Sequence, residues 1–444
     1  MFRIVAILLI LSLCRHASAQ SGEVMTLEEA VDYGLEHHTG ISISEKQISY
    51  REWQVMSEKS GYLPHIRSSA DYRYNTNLPV TIIPAEAFGG GQAGPREIKM
   101  GTKNVIQAGI DVEQPIYDPV TISGIREAEI RTDMAQADVL QVRKEVVLQI
   151  KRAYYQVVFS KDKLRISQDL ERSYNRLLEI AGDRFDHDLT SAMAVEEVRQ
   201  KQENQSMEVE INRMNLQNNL QRLKLAMEYP AGKNLRVADT SVYQLIDNFN
   251  AAGPGNFEYK KLPEYRKIEL ELLLNSEQSE GVDAQYLPSL NAYGFIGADY
   301  YDDALSPTGN HERWFRHSYL GARLQIPIFD GWNKNRQRQA LNILNRQLNA
   351  EREKLAYTLQ TREGILGDAV AIATQRAISK KNDYQWALTQ YETQIADYNN
   401  GLAGYRDVVQ AGLDLQIRQQ EYLAAMLEVL MSRLDYEELT GNYD

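Results

Sequence analysis

The chain has little of what usually punctuates or locks a fold. Cysteine occurs once in 444 residues, at Cys14. Proline occurs twelve times, never after Pro327 and never between Pro119 and Pro230. Basic side chains are outnumbered, 49 against 61 acidic ones. No stretch approaches the roughly 20 apolar residues that a membrane-spanning helix needs. Each shortage excludes something. A helical membrane protein with several spans is ruled out. The acidic balance argues against a nucleic-acid partner, because phosphate binding calls for a basic patch. Two proline-free runs above 100 residues do not fit a string of ordinary compact domains, which the length alone would put at about three. Disorder is excluded in turn, since 43% of the residues are hydrophobic and 9% aromatic.

The first residues read as a secretory signal. Arg3 is the charged start, Ile4 to Leu13 an apolar core, and Ala17-Ser18-Ala19 a small-x-small site, so cleavage is predicted after Ala19. The apolar run is too short for an anchor. Cys14 follows Leu13 where a lipoprotein needs a small residue. Residues 20–444 then hold no cysteine, which excludes disulfides and thiol chemistry. Loss of Arg3 and Arg15 takes the net charge from −12 to −14.

One pattern occurs twice. Tyr62-Leu63-Pro64 returns as Tyr286-Leu287-Pro288, Pro115-Ile116-Tyr117-Asp118 as Pro327-Ile328-Phe329-Asp330, and Asp188-Leu189-Thr190 as Gly401-Leu402-Ala403. Each half therefore reads as a short helix, two strands around a loop, a very long helix, a break and a second helix. The expected first half is 20–229, with strands near 65–76 and 103–114 and helices near 120–182 and 190–229. The second is 263–444, with strands near 289–301 and 314–326 and helices near 332–399 and 404–440. A connector, 230–262, contains Ala251-Ala252-Gly253-Pro254-Gly255.

The strands rest on period two. Ile66, Ser68, Ala70, Tyr72 and Tyr74 alternate with Arg67, Ser69, Asp71, Arg73 and Asn75. Ile106, Ala108, Ile110 and Val112 alternate with Gln107, Gly109, Asp111 and Glu113, and Leu320, Ala322 and Leu324 with Tyr319, Gly321 and Arg323. Ser289–Tyr301 is aromatic and glycine-rich on both registers. About ten alternating residues suit a porin-like strand with lipid on one side and water on the other. A hairpin in a soluble sandwich gives the same alternation. The helices carry heptad spacing at Leu140, Val147, Ile150, Tyr154, Val157 and Leu164, and again at Leu341, Leu344, Leu348 and Leu355. A helix of about 60 residues is about 90 Å long. Its charged intervening positions keep it in water, packed on other helices. Four strands cannot close a membrane barrel, and isolated helices of this length bury too little surface, so several copies must associate.

In order, spacing and duplication, these residues resemble the TolC family of outer-membrane efflux proteins. The resemblance runs from Leu27-Glu28-Glu29-Ala30 and the turn at His37–Gly40, through both Tyr-Leu-Pro and both Pro-Ile-aromatic-Asp junctions, to Tyr398-Asn399-Asn400-Gly401-Leu402, Asp407-Val408 and Leu439-Thr440-Gly441. It implies a mostly α fold with a membrane β-barrel: a homotrimer sharing twelve strands, continuous with a long periplasmic α-helical barrel. The connector would lie in an equatorial belt, and loops 76–102 and 302–313 would face outside the cell. The implied function is a passive exit duct through the outer membrane, joined to a periplasmic adaptor (membrane fusion) protein and an inner-membrane pump. The rival from another class is a soluble periplasmic coiled-coil adaptor or scaffold.

The resemblance also assigns residues. The breaks near Asp186–Ser191 and Asn399–Gly404 map to the periplasmic tips, with Leu189, Gly401 and Leu402 as adaptor contacts; plain helix turns would use the same residues. Asp407 matches an acidic position of the constriction and Tyr398 an aromatic that holds the closed tip. Each also has an ordinary reading, as a solvated side chain and as packing. Gln410 stands where a second acid would complete the ring, and Ala194 occupies the position of Asp407 in the first copy. Tyr62, Tyr72, Tyr74, Tyr117, Tyr286, Trp314, Tyr319, Phe329 and Trp332 fall near strand ends, as an interfacial girdle or as junction packing. No catalytic, cofactor or metal pattern emerges. His16 leaves with the signal, His37 and His38 are adjacent, and His65, His187, His311 and His317 are isolated. No ATP motif occurs.

Overall fold

The computed structural model describes residues 23–83, 96–238, 240–248, 257–309 and 311–440. The expected signal and Ala251–Gly255 of the connector lie outside them. The chain divides into two compact units. One comprises Met1–Gln47, Ala135–Glu269 and Glu351–Asp444, the other Ile48–Met134 and Leu270–Ala350. Each unit thus draws on both halves of the sequence.

The second unit holds the four-stranded sheet. Strands β2 (His65–Tyr74), β5 (Asn104–Tyr117), β7 (Ser289–Asp302) and β8 (Trp314–Gln325) form an antiparallel sheet in that order. β5 runs further than its alternation indicated, to Tyr117, with a register shift between Pro115 and Tyr117. Proline lacks the N–H that a regular ladder needs, so the shift falls there. The loop expected over 76–102 carries a hairpin of its own, β3 (Val80–Ile83) with β4 (Arg96–Lys99).

Directly opposed residues of an antiparallel pair point to one side, so the registers sort the faces. Even-numbered residues share one face in all four strands. Its rows include Tyr72–Ile106–Tyr300–Trp314, Ser68–Ile110–Ile296–Ser318 and Ile66–Val112–Gly294–Leu320. Away from the fully buried Tyr300 this face is apolar and bare: Leu320 is 88% exposed and Ile66 69%. A soluble sandwich would cover it. The odd face carries Arg67–Asp111–Phe295–Tyr319 and Ser69–Gly109–Gly297–His317. Tyr319 therefore stands on the opposite face from Tyr72, Tyr300 and Trp314. Alternation within β8 alone carried this information.

The Pro-Ile-aromatic-Asp junctions start helices. Asp118 accepts from Val120 N (3.1 Å) and Thr121 Oγ1 (2.6 Å) at the head of α3 (Pro119–Asp186). Asp330 accepts from Lys334 N (2.9 Å) at the head of α7 (Asn333–Asn399). Carboxylates here satisfy N–H groups that a helix start leaves open. Tyr62, of the first Tyr-Leu-Pro, donates to Asp118 O at 2.6 Å.

The first unit is helical. α1 (Leu27–His37) opens with a capping box in which Thr26 and Glu29 satisfy each other's backbone N–H. α2 (Thr39–Ser60) follows directly, its first N–H received by Glu228 at 2.9 Å. α3 and α7 have 68 and 67 residues. Their followers, α4 (Ala192–Met227) and α8 (Tyr405–Thr440), have 36 each. The heptad prediction for α3 holds at Val147, which is buried, and at Ile150, Tyr154 and Val157, which are buried with Leu223, Met227, Leu423, Leu430 and Leu434. It fails at Leu140, 42% exposed. On α7, Leu348 is buried, but Leu344, Tyr357, Ile365, Ile372 and Trp386 are exposed. One chain has too few helices to cover both sides of every seam. α8 is the hub, with ion pairs to α3 (Arg152–Asp435, 2.7 Å) and to α7 (Arg376–Glu428, 2.6 Å).

The connector is docked on this unit by backbone and side-chain contacts. β6 (Leu235–Val237) pairs in parallel with β1 (Glu23–Met25). Val242 N, at the head of α5 (Val242–Asn248), donates to the buried Asp162 at 2.8 Å. A further helix, α6 (Pro263–Ala284), leads into β7. Among the described residues, no helix is long and apolar enough to cross a membrane.

Candidate functional site

Both helix breaks fall in the first unit, and they use the same turn. After α3, Asp188 N donates to Phe185 O (3.0 Å) and Leu189 N to Arg184 O (2.8 Å). After α7, Gly401 N donates to Tyr398 O (3.0 Å) and Leu402 N to Asp397 O (2.8 Å). This pairing satisfies the last carbonyls of a helix and needs one residue in the left-handed region. That residue is Asp188 in one case (φ +57°) and Gly401 in the other (φ +74°). The turn projects Leu189 and Leu402 outward, 66% and 78% exposed.

The next helix starts differently in the two breaks. Ser191 Oγ accepts from Ala194 N at 3.3 Å. At the equivalent place Gly404 has no side chain, and Asp407 reaches back instead, its Oδ2 accepting from Gly404 N at 2.9 Å. Each break holds one half of a capping box. Asp407 is solvent-exposed, and its carboxylate sits in the first helical turn, where the helix dipole favours negative charge.

Tyr398 is buried with Leu170, Tyr174, Leu177, Ala181, Val198, Val408 and Val409. The Arg184 guanidinium lies 4.7 Å from its ring centroid. Its contribution is packing and a cation–π contact; among the described residues its hydroxyl makes no hydrogen bond. Tyr174 completes this cluster with a buried hydroxyl that has no hydrogen-bond partner among the described residues, and burial, followed by the neighbouring Tyr391, pushes its pKa up to about 12. Such a group costs about 1–3 kcal/mol.

The polar link between the two breaks uses other residues. Tyr405 Oη donates to Glu197 Oε2 at 2.7 Å, and Arg406 Nε lies 3.5 Å from the same oxygen and 3.1 Å from Tyr405 Oη. Deeper, Gln416 donates to Gln205 at 3.3 Å. Glu197 occupies in the first half the position that Gln410 occupies in the second. An acid is thus present at that repeat position, turned toward α8. Alignment of the two halves points to Glu197, but nothing local in the sequence joins it to Tyr405, 208 residues away. No group of side chains able to hold a metal ion occurs among the described residues.

Residues 35–227 match the family described as Outer membrane efflux protein. The matched stretch falls within the first of the two sequence halves. The curated relative "Outer membrane protein TolC" from Vibrio cholerae is 22% identical over 291 residues, which cover 63% of this chain and 59% of that protein. The fold likeness extends over nearly the whole chain. The structure of CusC, described in connection with transmembrane channel formation, matches with TM-score 0.76 at 13% identity, over 94% of this chain and 92% of that one. VceC from Vibrio cholerae matches with TM-score 0.69 at 13% identity, over 94% and 97%. MtrE from Neisseria gonorrhoeae, solved in an open state, matches with 0.69 at 12%, over 94% and 89%. The protein is thus mostly helical, with the fold of these channel structures. The family and the curated relative that it matches are described as outer-membrane proteins.

Proposed function

We propose that the chain is the passive exit duct of a tripartite efflux or type I secretion system, built as a homotrimer that receives cargo from a periplasmic adaptor and an inner-membrane pump. The observation that carries this reading is the sheet. Its even face is apolar over successive rows, and its outer strands β2 and β8 have no partner beyond β5 and β7 among the described residues. An open edge cannot persist in lipid, where backbone groups have no water to bond. Three copies joined β8 to β2 give twelve strands and leave no edge. The odd face then lines a water-filled passage.

The helices support the same ring. α8 is packed from within its own chain, while α7 exposes Tyr357, Ile365, Ile372 and Trp386, and α4 exposes Met193, Met207 and Met214 at heptad intervals. Two different uncovered seams suit a head-to-tail contact that closes by rotation. At the tips, Asp407 and Tyr398 belong to the constriction. Leu189, Gly401 and Leu402 form an exposed apolar knob on each turn for the adaptor. Asp407, repeated three times around an axis, concentrates negative potential there.

Membrane fractionation and planar-bilayer recording test this. The expected result is extraction only with detergent and ion-conducting channels whose cation selectivity falls in Asp407→Asn. Full solubility without detergent favours a periplasmic scaffold and sinks the duct reading. Unchanged selectivity in a conducting Asp407→Asn channel removes that residue from the constriction.

A further inference from the structure

The odd face of the sheet is not uniformly polar. On β7 and β8 it carries a row of aromatic rings. Phe295 stacks with His317 (centroids 5.0 Å, planes 28° apart) and with Tyr319 (5.5 Å, 19°), and Tyr319 meets the edge of Tyr293 at 6.0 Å. Two of these rings serve the sheet itself. A Cβ on Gly109 or Gly297 would lie 2.3 or 2.5 Å from Phe295 Cζ, and one on Gly321 2.6 Å from Tyr293 Cζ. Phe295 and Tyr293 therefore cover bare backbone, as aromatic residues commonly do over strand glycines. Tyr319 covers no glycine and is 53% exposed. Its ring packs on Phe295 and Tyr293 and remains half-exposed.

The charges beside the row are unequal. Glu113 is held by Arg67 (3.3 Å) and Asp299 lies 3.8 Å from His317 Nδ1. Arg323 stands 5.0 Å from the Tyr293 centroid. Asp111, the register partner of both Arg67 and Phe295, accepts from Ser69 Oγ at 3.4 Å and makes no ion pair among the described residues, Arg67 being engaged with Glu113. Ring faces are negative, and a free carboxylate adds to that field. A flat ring with a positive charge satisfies both at once; a flat anion is repelled, and an aliphatic cation cannot stack.

Resting on the duct reading above, we propose that the Tyr319–Phe295–His317 row with Asp111 is a contact site for planar aromatic cations moving along the interior of the barrel. Tyr319 supplies the open stacking face, Asp111 the charge, and Phe295 the fixed floor on its glycines. The contact is transient by design of its chemistry, since one exposed ring and one carboxylate retain a ligand only weakly.

The test uses the full chain in planar bilayers, carrying Asp407→Asn so that the helix tips do not compete, with an acridinium dye added on the side of the strand loops. The expected result is current block by the dye, with the half-block concentration raised about fivefold by Tyr319→Ser, about threefold by Asp111→Asn, and unchanged in Tyr319→Phe. Tetraethylammonium, of equal charge but without a ring to stack, should lose less to Tyr319→Ser than the dye does. A conducting parent channel that the dye does not block, or one blocked equally after Tyr319→Ser, overturns the proposal alone. A shift for Asp111→Asn only also overturns it, since charge then suffices. A chain that inserts and passes no current overturns the duct reading and this proposal with it.

Discussion

At the end of α3 the backbone turns on Asp188, a residue with a side chain, and at the end of α7 it turns on Gly401, a residue with none. The hydrogen bonds are the same at the two places and the exposed leucine follows in both. The starts of the following helices are complementary: the first uses a side chain at the cap to hold the backbone three residues on, the second the reverse. Equal backbone geometry is therefore reached with unequal chemistry. The second break has an acid at its rim where the first has Ala194. The first has Glu197 where the second has Gln410. The link between them is asymmetric in consequence, because Glu197 is the acceptor and Tyr405 and Arg406 are the donors.

This asymmetry can be broken, and the largest effect is expected at Glu197. Glu197→Ala removes the shared acceptor of Tyr405 and Arg406, a charge-assisted contact of about 1.5–3 kcal/mol. The expected outcome is a channel that spends at least tenfold more time in high-conductance states in planar bilayers. Single-channel records indistinguishable from the parent would show that the link does not hold the tips together. Tyr174→Phe comes next, with the opposite sign. Loss of the orphaned buried hydroxyl should tighten the cluster around Tyr398 by about 1 kcal/mol or more. Slower amide exchange in 170–181 is the readout, and faster exchange would mean that the hydroxyl has a partner after all.

The turns themselves give a smaller, paired effect. Gly401→Ala has open space for its Cβ but a left-handed backbone, so about 1 kcal/mol is lost and exchange at Leu402 N should quicken about fivefold. Asp188→Gly should slow exchange at Leu189 N by a lesser factor, since Asp already tolerates that region. Parallel changes of one sign in the two variants would contradict the shared turn. The smallest difference is expected between the caps: Ser191→Ala and Asp407→Ala should each cost about 1 kcal/mol, each fraying only its own helix. Fraying of both helices by either change would show that the caps act through the link and not locally.

Much of this was legible along the chain. Period two in β2 and β5 located the apolar face, since side chains alternate with no tertiary choice. The paired Pro-Ile-aromatic-Asp motifs marked helix starts because an aspartate beside open N–H groups has a local reason to be there. Asp188 and Gly401 were visible as breaks for the same reason. The side on which Tyr293 and Phe295 stand was not readable from Ser289–Tyr301, where small and aromatic residues occupy both registers. Pairing with Asp111 and Glu113, whose side was clear, settled it. Leu140 read as core from its heptad place, yet it is exposed, because a seam is buried only where a partner helix arrives.

The sequence by itself determined which segments are strand, helix and turn, for these follow from periods, caps and positive-φ residues that act within a few positions. It also marked the apolar face of the sheet, through the alternation along β2, β5 and β8. Only the tertiary structure decided which groups meet across hundreds of residues: Glu197 with Tyr405, Arg184 with Tyr398, Phe295 with Gly109. Such contacts depend on how helices and strands are brought side by side, and that depends on burial summed over the whole unit, which no local spacing records.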